Sequence, residues 1–176
     1  AGGWCWREDA TNTDTARLRA KVRHEVVPLL REHVPEVKLL IIGRQPPAWL
    51  VTLGAEHGVE FTGSVADVRP DNYRTAVSIV PLRIGGGSRL KILEALSMEK
   101  AVVSTTLGAE GLAVVPGEHL IIADNPEAFA QAVVSLLRDA NARKRLGQAG
   151  RTLVTERYQW DRLATKMSGF LGGMIR

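Results

Sequence analysis

Short apolar runs alternate with helix-length segments along almost the whole chain. The runs are rich in Val and Ile, which favours buried β-strands over loops. They lie at residues 37–43, 59–63, 76–82, 101–105 and 119–123. Strands that alternate with helices are typical of a parallel sheet whose two faces are both covered by helices. We therefore predict an α/β fold, organised as one domain over residues 1–176.

The segments between and after these runs carry apolar residues at helical spacing. The predicted helices are residues 15–32, 47–57, 70–76, 88–98, 127–137, 140–156 and a last one from residue 161. The last helix is predicted to be amphipathic, because its large apolar residues recur at helical spacing. These residues are Leu163, Met167, Phe170, Leu171 and Met174.

The composition excludes several classes of protein. Apolar residues make up 45% of the sequence, but no apolar run approaches the roughly 20 residues of a membrane span. Cys5 is the only cysteine, which excludes an internal disulfide and a cysteine metal cluster and favours a reducing, cytoplasmic location. The first residues, AGGWCW, contain no initiator Met and no secretion signal, so we expect the chain to be part of a longer protein.

The net charge of +4 favours an acidic partner. The basic residues do not form a stripe with interleaved aromatic residues, so nucleic acid is not expected to be that partner. Phosphate-bearing ligands or an anionic membrane surface fit the charge better. Much of the surplus lies after residue 137, where peripheral membrane contact through Arg162 and Lys166 is a secondary interpretation and a solvated helical face is the alternative.

The segment PLRIGGGSRLKILEAL, residues 81–96, places glycines and basic residues at the start of a predicted helix. A helix start already carries about half a positive charge, so Arg89 and Lys91 are unfavourable there unless an anion binds. Glycines let the backbone approach a phosphate, and the N–H groups of residues 86–88 can converge on one oxygen. The segment therefore predicts a phosphate site at the carboxyl edge of the sheet. The alternatives are a tight turn and a solvated Lys91.

Glu94 lies on the same predicted helix, among apolar residues that cover most of the helical wheel, so we expect this helix to be buried. A buried carboxylate without partners is costly. Glu94 is therefore expected either to pair with Lys91, one turn earlier, or to accept hydrogen bonds from ligand hydroxyls such as those of a ribose.

The order of the motifs resembles the carboxyl-terminal, donor-binding half of the family 4 retaining glycosyltransferases, which have the GT-B fold. The resemblance covers nearly the whole chain, and its most specific part is residues 81–111. Its other motifs are LLIIG, VEFTGSV, GEHLIIADNPEAFAQAV, RKRLGQAGR and ERYQWD. It implies a Rossmann-like, three-layer domain with a parallel sheet of about six strands. It also implies that the ligand is a nucleotide diphosphate sugar, with UDP and GDP both open, and that no metal or other cofactor is needed.

By matching position, the resemblance gives roles to individual residues. Glu94 matches the family glutamate that holds the ribose, and Lys91 matches a basic phosphate partner, with Arg89 beside it. The loop next to the diphosphate and the sugar is formed by Gly85, Gly86, Gly87 and Ser88. Outside this segment, Arg7 matches a second phosphate-binding arginine, and Ser64 and Val65 begin the base-contacting loop. Glu110 is a candidate for contact with the sugar or ribose, the alternative being a plain loop residue.

Two departures from the family pattern limit these expectations. Gly86 stands where many members carry a second glutamate near the donor sugar, so no catalytic carboxylate is assigned. The acceptor-binding, N-terminal domain is absent from this sequence, so the chain alone is expected to bind the donor poorly or moderately and to transfer nothing. The whole enzyme is expected to transfer a sugar with retention of configuration, in polysaccharide biosynthesis. The alternative is a noncatalytic nucleotide-binding or interaction module with a degenerate cleft.

Overall fold

The computed structural model of the protein describes residues 26–43, 46, 48, 51–52, 58–84 and 87–174. The helices within these residues are α1 (Val27–His33), α2 (Arg69–Arg74), α3 (Leu90–Ser97), α4 (Thr106–Ala109), α5 (Pro126–Arg138), α6 (Ala140–Arg157) and α7 (Trp160–Met174). The strands are β1 (Leu39–Ile41), β2 (Val59–Phe61), β3 (Val77–Val80), β4 (Ala101–Ser104) and β5 (Ile121–Ile122).

The strands pair in parallel, as the alternation of strands and helices predicts. β1 pairs with β2, and a separate sheet has the order β3–β4–β5, with Val77 opposite Ala101 and Val103 opposite Ile121. The α/β class is confirmed. The described residues form five strands in two hydrogen-bonded sheets, which is fewer than the single sheet of about six strands that was expected. The ladders are shorter than the apolar runs, and β5 keeps only two residues.

Strand β4 lies at the centre of the packing, with all four of its residues buried. One of its faces supplies Ala101 and Val103 to a core that also contains residues of α1 and α5. The other face supplies Val102 to a second core, formed largely by the apolar stripe of α3. The two cores on opposite faces explain why this strand is apolar throughout, as expected for a sheet covered on both sides.

The helices after β5 begin where the sequence provides caps. The Asn125 side chain accepts a hydrogen bond from the N–H of Ala128, and Pro126 occupies the first helical turn of α5. Asp139 ends α5 and caps α6 by accepting a hydrogen bond from the N–H of Ala142. This single capping residue allows α5 and α6 to follow each other directly.

The remaining differences from the predicted elements lie at the ends and in one loop. The helix predicted at 88–98 begins at Leu90, and the short helix α4 was not predicted. Of the helix predicted at 47–57, residues 48, 51 and 52 are described and are helical, whereas residues 15–25 of the first predicted helix lie outside the described residues. In the part of the chain that the structure describes, no helix is both long and apolar enough to cross a membrane.

Candidate functional site

The loops that follow β3 and β4 are joined at the carboxyl edge of the sheet. The hydroxyl of Thr105 donates a hydrogen bond to the carbonyl of Leu82, and the hydroxyl of Ser104 donates to the carbonyl of Val80 at 3.2 Å. The side chain of Thr105 also accepts a hydrogen bond from the N–H of Gly108 at 3.0 Å, which caps α4. These contacts join Val80, the last residue of β3, and Leu82 to the residues that lead to Glu110.

Asp124 connects the end of β5 to the same edge. Its carboxylate accepts hydrogen bonds from the N–H of Thr106 at 2.8 Å and from the hydroxyl of Thr106 at 2.7 Å. These two hydrogen bonds, first that of the N–H and then that of the hydroxyl, hold the pKa of Asp124 below its ordinary value, and the positive charge of Arg83 adds to the effect. The guanidinium of Arg83 also donates to the backbone carbonyl of Asp124 at 3.4 Å.

Helix α3 starts without a side-chain cap, as α1 and α2 do, whereas α4, α5 and α6 are capped. The position before it is Arg89, whose side chain makes no capping hydrogen bond. Gly87, two residues before Arg89, is in the left-handed conformation with φ of +96°, which favours glycine. The first N–H groups of a helix need acceptors, so this start is suited to an acceptor that comes from outside the helix.

The guanidinium of Arg89 is directed towards a carboxylate and not into solvent. Its guanidinium Nη2 lies 3.2 Å from Oε2 of Glu110. The side chain of Arg89 is only 8% exposed, whereas that of Glu110 is 68% exposed. The Nε atom of Arg89 is buried and has no hydrogen-bond partner among the described residues. The sequence reasoning named both residues but did not predict their pairing.

Glu94 lies on the exposed face of α3, so the expectation of a buried carboxylate is wrong. The helix buries Ile92, Ala95 and Leu96 against the core and leaves Lys91 exposed beside Glu94. The physical reason is that, within the described part of the chain, α3 packs on one side only and its opposite face is open. Among the described residues, no ion pair joins Lys91 to Glu94.

The other predicted site residues divide into two groups. Arg7, Gly85 and Gly86 lie outside the described residues. Ser88 is exposed next to the start of α3, whereas Ser64 and Val65 follow β2, in the two-stranded sheet. No hydrogen bond within the described part of the chain links this second loop to residues 87–94.

Sequence reasoning missed Arg83 and Asp124 at this edge. Both follow their strands closely, which is the signal that could have identified them, since ligands of parallel sheets bind beyond the carboxyl ends of strands. Within the described ranges, no three His, Cys, Asp or Glu side chains are grouped so that they could hold a metal ion.

The sequence profile described as glycosyl transferases group 1 matches residues 16–139. The chain belongs to this glycosyltransferase family. A Mycobacterium tuberculosis protein named GDP-mannose-dependent alpha-(1-6)-phosphatidylinositol monomannoside mannosyltransferase is 32% identical over 164 residues, and the alignment covers 84% of this chain and 42% of that protein. The chain therefore spans less than half the length of this relative.

Two solved structures share the fold. HepE of Anabaena, in complex with UDP, superposes with a TM-score of 0.74 at 16% identity, over 87% of this chain and 45% of that one. The C-terminal domain of a glycosyl transferase group 1 protein of Francisella tularensis superposes with a TM-score of 0.61 at 21% identity, over 80% of this chain and 82% of that domain. The expected resemblance to a carboxyl-terminal GT-B half is thus confirmed.

Proposed function

We propose that this chain is the donor-binding half of a glycosyltransferase that transfers a sugar from a nucleotide diphosphate sugar with retention of configuration. The observation that carries this proposal is the uncapped start of α3, directly after the glycines, in a chain of this family. The diphosphate would accept hydrogen bonds from the N–H groups at this start, where the helix dipole favours negative charge.

The charged residues of α3 would complete the donor site. Lys91 lies one residue inside the helix and is exposed, so its ammonium group is accessible to the leaving diphosphate and can neutralise its charge. Glu94 is exposed one turn further along, where its carboxylate can accept hydrogen bonds from the ribose hydroxyls. Arg7 and the loop at Ser64 and Val65 remain predicted contacts with the phosphate and the base.

The comparisons favour GDP-mannose and UDP-sugars as the first donors to try. The mycobacterial relative is named as GDP-mannose-dependent, and the Anabaena structure contains UDP. Because the first is a sequence relative and the second shares only the fold, we propose GDP-mannose as the leading candidate. No metal ion is required for the proposed role, since N–H groups and Lys91 neutralise the diphosphate.

A second half of the enzyme is proposed to pack against α7. Helix α7 exposes large apolar side chains, with Trp160 81% and Phe170 72% exposed. Apolar area of this kind marks a surface that another unit buries. The mycobacterial relative is more than twice as long as the part of it that aligns with this chain, so an acceptor-binding half of the same enzyme is the proposed unit.

Isothermal titration of the chain with GDP, UDP and ADP tests the donor site. We expect one of these nucleotides to bind, and Glu94→Ala to weaken its binding about tenfold, since the hydroxyl hydrogen bonds to a charged group are lost. Glu156→Ala is the matched control, because Glu156 is an exposed helical glutamate on α6. Unchanged affinity in Glu94→Ala would show that this glutamate does not hold the ribose.

The second candidate function is a noncatalytic nucleotide-binding or interaction module. It is favoured by Gly86, which stands at the position of the family's second glutamate. The two functions differ in turnover by a protein that contains this chain and its acceptor-binding half. Transfer of sugar from the donor supports the enzyme, whereas nucleotide binding without transfer or donor hydrolysis supports the module.

A further inference from the structure

The ion pair between Arg89 and Glu110 has no task in the donor site as proposed so far. Arg89 is the basic residue nearest the start of α3, yet its buried guanidinium is directed to Glu110 at 3.2 Å. Arg89 therefore already has an anionic partner before any phosphate arrives. Glu110, in contrast, keeps most of its carboxylate in solvent. In this ion pair the guanidinium of Arg89 is buried and the carboxylate of Glu110 faces solvent.

The backbone around Glu110 is held by several independent contacts. Thr105 caps the short helix that leads to Glu110, and the hydroxyl of Thr105 is bonded to the loop after β3. Gly108 has no room for a Cβ, because that atom would overlap the Ser104 hydroxyl. Gly111 follows in the left-handed conformation, with φ of +79°. The backbone at Glu110 is thus held by these contacts, and its carboxylate lies next to Arg89, two residues after Gly87.

A carboxylate at this position will not contact the diphosphate, because the two groups carry the same charge. It can only receive hydrogen bonds from the neutral donors of a nucleotide sugar, chiefly hydroxyl groups. Glu94 lies about 6 Å along the helix axis beyond Leu90. Glu110, in contrast, is paired with Arg89, which is the residue immediately before the helix. A diphosphate at the helix start therefore leaves Glu94 for the ribose and Glu110 for the transferred sugar.

We propose that Glu110 is the carboxylate that accepts hydrogen bonds from the hydroxyls of the transferred sugar, and that Arg89 is its positioning residue. This assignment rests on the proposed function and deepens it. It explains why an arginine is buried at the mouth of an anion site and why an exposed glutamate follows α4. It also gives the site a carboxylate for the sugar, although Gly86 has no side chain to offer one.

Titration of the chain with a nucleotide diphosphate and with its nucleotide sugar separates the two parts of the ligand. The probes are GDP with GDP-mannose and UDP with UDP-glucose, and the pair that binds more tightly is used. We expect Glu110→Gln to weaken the affinity for the nucleotide sugar at least fivefold and to change the affinity for the nucleotide diphosphate less than twofold. Glu118→Gln is the matched control, because Glu118 is a similarly exposed glutamate, 62% exposed, on a different loop.

The role of Arg89 is tested by the double-mutant cycle with Arg89→Met. If Arg89 acts only by positioning Glu110, the double variant should lose no more affinity for the nucleotide sugar than the worse single variant does. The affinity for the nucleotide diphosphate should not change. Arg89→Lys, which keeps the charge, carries this test if Arg89→Met unfolds; we expect it to lose less sugar affinity than Glu110→Gln.

The outcomes distinguish the two proposals. If the unaltered chain binds none of the nucleotides, the proposed function fails and this assignment falls with it. If it binds them and Glu110→Gln binds the nucleotide sugar normally, only the role of Glu110 is overturned. If the Arg89 variants weaken the affinity for the nucleotide diphosphate as much as the affinity for the nucleotide sugar, Arg89 is a phosphate ligand and not a positioning residue.

Discussion

At the scale of single residues, Asp124 shows how a polar side chain can serve the architecture of a ligand edge. Its carboxylate holds the first residue of α4 through two hydrogen bonds to Thr106. Helix α4 in turn leads to Glu110. Asp124 therefore acts as an additional cap, and its charge matters because ionised acceptors make the stronger hydrogen bonds.

Asp124→Ala is expected to lower the free energy of unfolding by about 1 kcal/mol at pH 7, as for the loss of a helix cap. Since the folded-state pKa of Asp124 lies below its ordinary value of 3.8, its stabilisation is complete above that pH. It is lost as the pH falls through the folded-state pKa. Urea unfolding of both proteins at pH 7 and at pH 3 measures this, and the difference between them should shrink at the lower pH.

Asp124→Asn provides the internal control. The amide keeps an oxygen that can accept from the N–H of Thr106, but it carries no charge. It should cost less stability than Asp124→Ala, and its stability difference from Asp124→Ala should be independent of pH. A wild-type advantage over both variants that stays constant from pH 7 to pH 3 would contradict the role of the charge.

The candidate site was predictable from the sequence at the level of its residue types and not of their contacts. Glycines before basic residues marked the start of α3, because those residue types have few other uses at a helix start. The pairing of Arg89 with Glu110 depends on two loops that are 21 residues apart, and no local pattern encodes such a contact. The exposure of Glu94 was missed because a helical wheel does not show which faces have neighbours.

At the scale of secondary-structure elements, close packing explains two glycines of α6. A Cβ at Gly147 would overlap the backbone carbonyl of Glu99, in the turn that ends α3, and a Cβ at Gly150 would overlap the side chain of Leu96. The glycines therefore let α6 lie directly on α3. Through this contact, α6 supports the helix whose start is the proposed phosphate site.

Gly147→Ala is expected to destabilise the protein by about 1–3 kcal/mol, because backbone atoms of Glu99 cannot move away as a flexible side chain could. The matched substitution is Gly169→Ala in α7, where a Cβ meets no atom within 4 Å. That change should be neutral or stabilising by up to about 1 kcal/mol, from helix propensity alone. Urea denaturation of the two variants gives both values, and equal stability would refute the packing role.

Elements with strong periodicity were predicted well. The helix predicted at 127–137 is observed as α5, Pro126–Arg138. The prediction succeeded because the capping residue and the apolar stripe indicate the same helix. The strand predicted at 101–105 is β4, Ala101–Ser104, for which burial on both faces demands apolar residues throughout. Helix α4 was missed because four residues are too few to show a period, and its stability comes from the Thr105 cap and from Asp124.

At the scale of the whole molecule, much of the late basic surplus has a structural use. The guanidinium of Arg138 donates to the carbonyl of His33 at 3.0 Å, and that of Arg143 donates to the carbonyl of Leu137 at 2.8 Å. Arg162 likewise donates to the carbonyl of Glu156 at 3.0 Å. These arginines satisfy carbonyls near helix ends, so the charge of the chain is weak support for membrane contact through Arg162 and Lys166, which stays a prediction.

The central claim is that the start of α3 holds the diphosphate of the donor, and amide chemical shifts report on it residue by residue. In a titration of the ¹⁵N-labelled chain with GDP or UDP, followed by ¹H–¹⁵N correlation spectra, we predict that the amides of Gly87, Ser88, Leu90 and Lys91 shift together and saturate. The amide of Thr152, on α6, should not move. Saturable shifts that spare residues 87–91 and appear elsewhere would contradict the account.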